Sequence, residues 1–532
     1  MFFLRSLGLI ALFTGAALSH PQSSPAPVFT TTCQGKTYTY NELAGFGSIP
    51  SDARDKFGDT ISIGSSAAIT NWKKRSTGKN KQTYYTGTLY GLPDRGWNTQ
   101  GTQNTIPRVH IFDVTFTPPT TSKSTPSPLP PNLLFKYKST ILLTSPSGEP
   151  LTGLDPDSII TLPGFPPLPA SSYPGDGFGG PGPGGQRIAI DAEGLVLNSD
   201  GTFWISDEYG PYIYLFSPTG VLLDAIAPPD ALLPLRNGTV SFSSDNPPIF
   251  DQGKSPNPTN PSQGRSNNQG FEGLTASPDG KELWVMLQSA GRLEGGGNAA
   301  TRRYTRLLRY DVAKAKGKGK GQKKVKYSGE WVVPLPTFTD GQGRTRVAAQ
   351  SEIHYVSERQ LLVLPRDSGV GACTDSPESV YRHVDVVDIG QATDVRGGRY
   401  DGFNASIASE DGVLKPEITP ATVCPWIDFN INAELNKFGL RNGPPALPTK
   451  SLLNEKWESL VLVPAEDGRK DEYFLIAISD NDFITQNGLI NNGRIPYKDA
   501  SGCSLDQQAL VFKVTLPKGN RVLLGLARQL EV

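Results

Sequence analysis

Four carboxylates stand at the head of strand-like apolar runs in this chain. Glu193 opens "EGLVLNSDGTFWISDEYG", Glu272 opens "EGLTASPDGKELWVMLQ", Glu352 opens "EIHYVSERQLLVLPRD" and Glu458 opens "ESLVLVPAEDGRKDEYFLIAISDND". Each run turns through Gly, Asp or Ser and returns as a second apolar strand. A hairpin brings the end of its second strand back to the start of its first. Glu193 is therefore expected beside Asp207 and Glu208, and Glu272 beside Gln288. By the same rule Glu352 should meet Arg366 and Asp367, and Glu458 should meet Asp480, Asn481 and Asp482. A degenerate version, "SSAAIT…YYTGTLYGLPDRG", lacks the first acid and ends on Asp94 and Arg95.

Crowded carboxylates repel one another unless they are protonated, paired or bridged by a cation. Oxygen donors without histidine or thiolate favour Ca²⁺ or a similar hard ion, held at roughly 2.3–2.6 Å. We read Asp207, Glu208, Glu458, Asp480 and Asp482 as metal ligands, and Glu193, Glu272, Glu352 and Asp367 as the acid–base groups. Asp94, Arg95, Arg366 and Asn481 fall to the substrate side; the two arginines can either pair with the acids or grip a phosphate bidentately. Other hydrolytic chemistries lack their residues. There is no G-x-S-x-G elbow and no Cys-x5-Arg. His110, His354 and His383 stand in neither R-H-G nor H-E-x-x-H settings.

The elements that must position these groups follow from their recurrence. Glu193, Glu272 and Glu352 fall about eighty residues apart, room for two further strands per repeat, with Glu458 after a longer gap. Such a period signals repeated four-stranded sheets, and sheets arranged radially bring the same end of every blade to one face. The expected fold is an all-β propeller of about six or seven blades with long Pro/Gly-rich loop insertions, such as Gly164–Gln186 and Asn246–Gln269. Trp204 and Trp284 read as core residues between blades. The Lys/Gly-rich run Ala313–Lys326 reads as a solvated hairpin loop.

The bulk composition agrees. Of 532 residues, 51 are basic and 51 acidic, which gives no global attraction to nucleic acid or an anionic membrane. With 57 Gly and 46 Pro the chain favours turns over helices. Residues 1–19 have the grammar of an export signal, with Arg5, an apolar run from Leu7 to Leu18 and the small residues Ala17 and Ser19 before the cleavage point. The expected layout is a signal peptide at 1–19, an N-terminal extension at 20–45 and the propeller at 46–532, giving a secreted monomer that spans no membrane. Cys33, Cys373, Cys424 and Cys503 suit two disulfides, of which Cys33–Cys503 and Cys373–Cys424 are the expected pairs. Asn237 and Asn404 head N-glycosylation sequons.

The blocks "DAEGL…GTFWISDEYGPYIYLFSPTG", "NNQGFEGLTASPDGKELW", "SEIHYVSERQLLVLPRD", "WESLVLV…FLIAISDNDF" and "LYGLPDRG" together resemble the phytase-like family described by an esterase-like activity of phytase. The resemblance covers most of the chain after about residue 50 and implies a β-propeller and an ester or phosphoester hydrolase. One departure stands out: Ser459 replaces the glycine found at Gly194 and Gly273. The expected function is a Ca²⁺-assisted hydrolase acting on a small anionic or ester substrate, phosphate esters first. A propeller lactonase or carboxylesterase, and a non-catalytic ligand-binding propeller with a structural ion, fit the same residues.

Overall fold

Strands in this chain come in two kinds. The first strand of each repeat is apolar without alternation: Ala192–Asn198, Phe271–Ala276 and Ala349–Tyr355 are buried at every position. Such runs suit strands covered on both faces. Outer strands such as Leu133–Leu142 alternate buried and exposed residues, as one-sided edges do. The computed structural model describes residues 26–77, 82–119, 127–313, 325–519, 522–524 and 526–527. Residues 1–19 and most of the Lys/Gly-rich run, 314–324, lie outside these described residues.

Five sheets of four or five strands carry the fold, antiparallel apart from Leu526–Ala527, which pairs parallel with Ala192–Asn198. Blade I is built from Ser66–Thr77, Gln82–Leu92, Arg108–Phe116 and Leu133–Leu142, and blade II from Ala192–Asn198, Phe203–Asp207, Ile213–Phe216 and Leu222–Ile226. Phe271–Ala276, Glu282–Leu287, Tyr304–Asp311 and Lys326–Pro334 make blade III. In blade IV the strands are Ala349–Tyr355, Gln360–Arg366, His383–Asp388 and Thr422–Asp428. Blade V joins Trp457–Pro464, Glu472–Ser479 and Gln507–Thr515 to Lys36–Ile49 and Phe29–Cys33. Each blade's first strand packs against the first strand of the next, and blade V packs back on blade I, so the ring closes. Ala67, Leu195, Leu274, Ile353 and Leu460, one from each blade, surround a residual axial space of 20 Å³.

The architecture is the expected propeller, but the described residues make five blades rather than six or seven. The insertions account for the difference. They lengthen the chain without adding blades, forming small sheets such as Ser158–Ile160, Leu168–Tyr173 and Gly185–Ile188 beside the main ring. The expected boundary at residue 45/46 falls inside Lys36–Ile49, which pairs along its length with Gln507–Thr515. Residues from Phe29 onward therefore belong to the last blade.

The disulfides also differ from expectation. Cys33 joins Cys424 with Cα atoms 5.8 Å apart, and Cys373 joins Cys503 at 6.0 Å. The cause is packing: Phe29–Cys33, at the edge of blade V, lies against Thr422–Asp428, the outer strand of blade IV. Trp204 and Trp284 are fully buried, as expected, and so is Trp457. Among the described residues no helix is long and apolar enough to cross a membrane.

Close approach of the first strands explains the glycine after the acid. A Cβ on Gly194 would come within 2.4 Å of the Leu274 Cβ, and one on Gly273 within 2.5 Å of the Ile353 nitrogen. No side chain fits there without moving backbone. We expect Gly273→Ala to destabilise the protein by about 2 kcal/mol or more, the scale of core overpacking. Denaturant unfolding followed by tryptophan fluorescence checks this; an unchanged midpoint would mean that the inner strands can separate freely.

Candidate functional site

Every inner strand of blades II to V carries an irregularity at the acid motif, where register shifts between Ala192 and Leu195, Phe271 and Leu274, Gln350 and Ile353, and Trp457 and Ser459. A bulge re-aims the side chain it carries. Aligned on these bulges, Glu193, Glu272 and Glu458 are equivalent, and blade IV puts Ser351 at that position. Glu352 therefore occupies the place held elsewhere by glycine. On the returning strands Glu208, Gln288, Arg366 and Asp480 are equivalent in the same way.

This one-residue offset changes what Glu352 does. Its Oε2 accepts from the Ser66 hydroxyl at 2.6 Å, and its Oε1 accepts from the backbone N–H groups of Leu274 at 3.1 Å and Ile353 at 2.9 Å. Ser66 Oγ in turn accepts from the Leu195 N–H at 3.1 Å. One carboxylate thus ties blades I, II, III and IV across the axis. Burial pushes the Glu352 carboxyl well above its ordinary range, against the pull of these donors. Glu352, expected as an acid–base group, is held as a strut across the axis, and the axis is a packed seam with a residual space of 20 Å³.

Three other expected residues are likewise occupied by the protein. Asp207 accepts from the N–H groups of Asp191, Tyr209 and Gly210 and from the Tyr214 hydroxyl, at 2.9–3.1 Å. Burial raises its pKa to about 7 despite these donors. Asp367 accepts from the Ser379 hydroxyl at 2.8 Å and from the N–H groups of Val380 at 2.7 Å and Tyr381 at 3.2 Å. Asn481 donates to the Leu505 carbonyl at 2.8 Å and accepts from the Phe483 N–H at 3.2 Å. These groups hold loops: Asp207, expected as a ligand, Asp367, expected as an acid–base group, and Asn481, expected as a substrate contact, are each engaged by hydrogen bonds within the protein. The signal was misread because a turn-forming Asp or Asn looks, in sequence, like a free one.

The remaining acids form two sets. In the first, Asp191, Glu193 and Glu208 each offer an oxygen within 4.8 Å of the others, and all three are buried. Glu272 stands beside them: burial, and then Glu458, raise its pKa to about 8. Burial and then Glu272 also push both Glu193 and Glu208 well above the carboxylate range. Gln288 donates to Glu272 Oε1, as the hairpin geometry predicted. Two buried oxygens, Glu208 Oε1 and Glu272 Oε2, have no hydrogen-bond partner.

The second set is Asp94, Asp480 and Asp482. Here Lys456 already supplies the cation, with Nζ 2.7 Å from Asp482, 3.8 Å from Asp480 and 3.6 Å from Glu458. Asp480 also accepts from the hydroxyls of Ser62 and Ser65 and the Asp482 N–H, and Asp94 from Gly96 N–H and Asn98 Nδ2. Burial raises Asp480 to about 6. The two arginines are paired: Arg95 lies 2.7 Å from Asp191, and Arg366 donates to Glu458. They shape the carboxylates and are not free hooks for substrate.

An oxygen set within 4.8 Å fits a common sphere of radius 2.3–2.6 Å, and unpartnered buried carboxylate oxygens are what a hard cation satisfies. The first set therefore fits Ca²⁺ or a similar ion, whereas the oxygens of the second meet Lys456, hydroxyl, amide and N–H donors. Sequence reading missed Asp191 and Lys456. The available signal was their shared offset, two residues before Glu193 and Glu458. Ser459, the departure from glycine, donates to the Gly64 carbonyl at 2.6 Å and so fastens blade V to blade I.

Comparisons with known proteins bear on this arrangement. The family model "Phytase-like: Esterase-like activity of phytase" matches residues 80–483. A secreted protein of Arthroderma benhamiae is 46% identical over 501 residues, covering 91% of this chain and 94% of its own. Among solved structures, a luciferin-regenerating enzyme aligns with 88% of this chain and 99% of its own at 11% identity and a TM-score of 0.24. The PQQ-bound aldose sugar dehydrogenase of Streptomyces coelicolor aligns with 92% of this chain and 94% of its own at 9% identity and a TM-score of 0.24.

The raised carboxyls set a pH dependence. Glu272 at about 8, Asp207 at about 7 and Asp480 at about 6 keep protons in the folded protein that an unfolded chain releases near pH 4. The folded state binds more protons across that window, so without a cation stability falls as pH rises through it. We expect the chelator-treated protein to lose melting temperature between pH 5 and pH 8, and Ca²⁺ to restore more at pH 8 than at pH 5. An equal Ca²⁺ effect at both pH values would contradict this.

Proposed function

The chain belongs to the phytase-like family, and from that premise we propose a secreted, cation-assisted hydrolase of phosphate esters. One observation carries the reading: the buried oxygens of Asp191, Glu193 and Glu208 converge, with Glu208 Oε1 and Glu272 Oε2 unpartnered beside Arg95 and Arg366. The 46% identical secreted relative and the export-signal grammar of residues 1–19 support the location.

In this reading Asp191, Glu193 and Glu208 hold the cation, which when bound neutralises phosphate charge and polarises the ester oxygen. Glu272 is the acid–base group. Its Oε1 is fixed by Gln288, its Oε2 has no partner, and its pKa, raised to about 8, lets the carboxyl give or take a proton around that pH. Arg366 pins Glu458 beside it, so the charge that raises the Glu272 pKa stays in place. Glu193, 7% exposed against 1–2% for Asp191, Glu208 and Glu272, marks the side from which substrate approaches.

A carboxylic ester or lactone as substrate is the second reading, favoured by the pairing of both mouth arginines with acids. The assays separate the two. Purified protein is offered p-nitrophenyl phosphate, phytate, p-nitrophenyl acetate and a lactone, with and without chelator. Chelator-sensitive phosphate release supports the first reading, acyl or lactone turnover the second, and inertness toward all four overturns both. Glu272→Gln should lower turnover at least tenfold and Glu193→Gln should weaken Ca²⁺ binding, each with a folded protein by circular dichroism. Wild-type kinetics in Glu272→Gln would remove that residue from the chemistry.

A further inference from the structure

A cleft of 650 Å³ opens between segments of blades III and IV. Three segments line it, and each leaves the mouth end of a strand: the loop after Glu282–Leu287, the hairpin before Ala349–Tyr355 and the loop after Gln360–Arg366. The hairpin consists of Thr337–Thr339 and Thr345–Val347. The third segment is fastened at Cys373 to Cys503, and its Gly369 N–H donates to Glu455 at 2.5 Å.

Most charges in this cleft are matched. Arg344 and Arg346 share Asp340, at 2.8 and 3.1 Å. Asp367 is saturated by the 379–381 segment, as described above. Arg302, Asp375 and Glu378 are not, and Arg302 is the lone cation among these three. Among the described residues no carboxylate lies within ion-pair distance of it, and its Nε is buried without a partner. Burial, then Arg366 and Arg346, pull its pKa below the ordinary arginine value, the direction expected of a cation lacking its counter-charge.

The rest of the lining limits what that counter-charge can be. Phe338 stacks on Tyr381 with ring centres 6.5 Å apart, and Val380 stands 50% exposed, so the cleft offers apolar surface next to the cation. Four acids (Asp340, Asp367, Asp375 and Glu378) face three arginines, which disfavours a polyanion. Phosphate and carboxylate head groups share the oxyanion geometry that a guanidinium binds.

We propose that this cleft binds one oxyanion head group, phosphate or carboxylate, carried on an aromatic or aliphatic body, with Arg302 taking the head and Phe338 and Val380 the body. The site stands apart from the axial acids and does not need them to be catalytic.

Titration calorimetry on the full chain in chelator tests it, using phenyl phosphate, benzoate, inorganic phosphate and phytate as probes. Phenyl phosphate, benzoate or both should bind more tightly than inorganic phosphate, and phytate no more tightly than phenyl phosphate. Arg302→Gln should weaken the aromatic probes at least tenfold, with Arg302→Lys recovering part of the loss. Should Arg302→Gln fail to fold, Val380→Asp, a change at an exposed position, should weaken them instead. Absence of aromatic-anion binding, unchanged affinity in a folded Arg302→Gln or in Val380→Asp, or phytate binding that is tightest and lost with Arg302, each overturns the proposal.

Discussion

Five extended strands share one axis here, and at two of the joints their backbones come so close that no side chain fits between them. That constraint governs this molecule. Where neighbouring inner strands touch, the chain has Gly194 or Gly273, and a bulge lets the adjoining carboxylate swing toward the mouth. Each joint is then pinned by a polar contact across blades, such as Ser206 to the Glu272 carbonyl at 2.6 Å or Thr275 to the Tyr355 N–H at 3.1 Å. The crowding that makes the ring also buries its acids, and burial is the largest cause of their raised proton affinity. Fold and site are two results of the same packing.

How the burial is offset differs around the ring. Between blades V and I, Lys456 meets Asp480 and Asp482, and serine hydroxyls complete the oxygens. Between blades II and III the acids outnumber their cations: Arg95 reaches Asp191, while Glu208 and Glu272 keep bare oxygens. Arg265, close to Glu208, spends its guanidinium on the carbonyls of Tyr209, Ser266, Phe242 and Ser243. One side of the mouth leaves no buried oxygen of its set bare, and the other leaves two. Chemistry is assigned to the side with the bare oxygens for that reason.

Recurrence made the propeller and the convergence of Glu193, Glu272 and Glu458 legible in the sequence, because a hairpin's geometry is local. What escaped was non-local or one residue fine. The offset of Glu352 within its bulge is invisible to a motif that reads only "acid then strand". The membership of Lys36–Ile49 in the last blade depends on a partner more than 450 residues away in sequence, so nothing local announces it. The disulfide partners follow from which blade edges touch, a property of the closed ring. Asp207, Asp367 and Asn481 looked available because most of their partners are backbone N–H and C=O groups, which carry no sequence signature.

Blade V takes its fourth and fifth strands from the beginning of the chain and its third from near the end. During synthesis Lys36–Ile49 leaves the ribosome early and must wait, edge unpaired, until Gln507–Thr515 appears. The wall that supplies Glu458 and Asp480 is completed only then. Deleting Gln507–Thr515 would strip the strand on which both Glu472–Ser479 and Lys36–Ile49 pair, while leaving Glu458 and Asp480 in the chain.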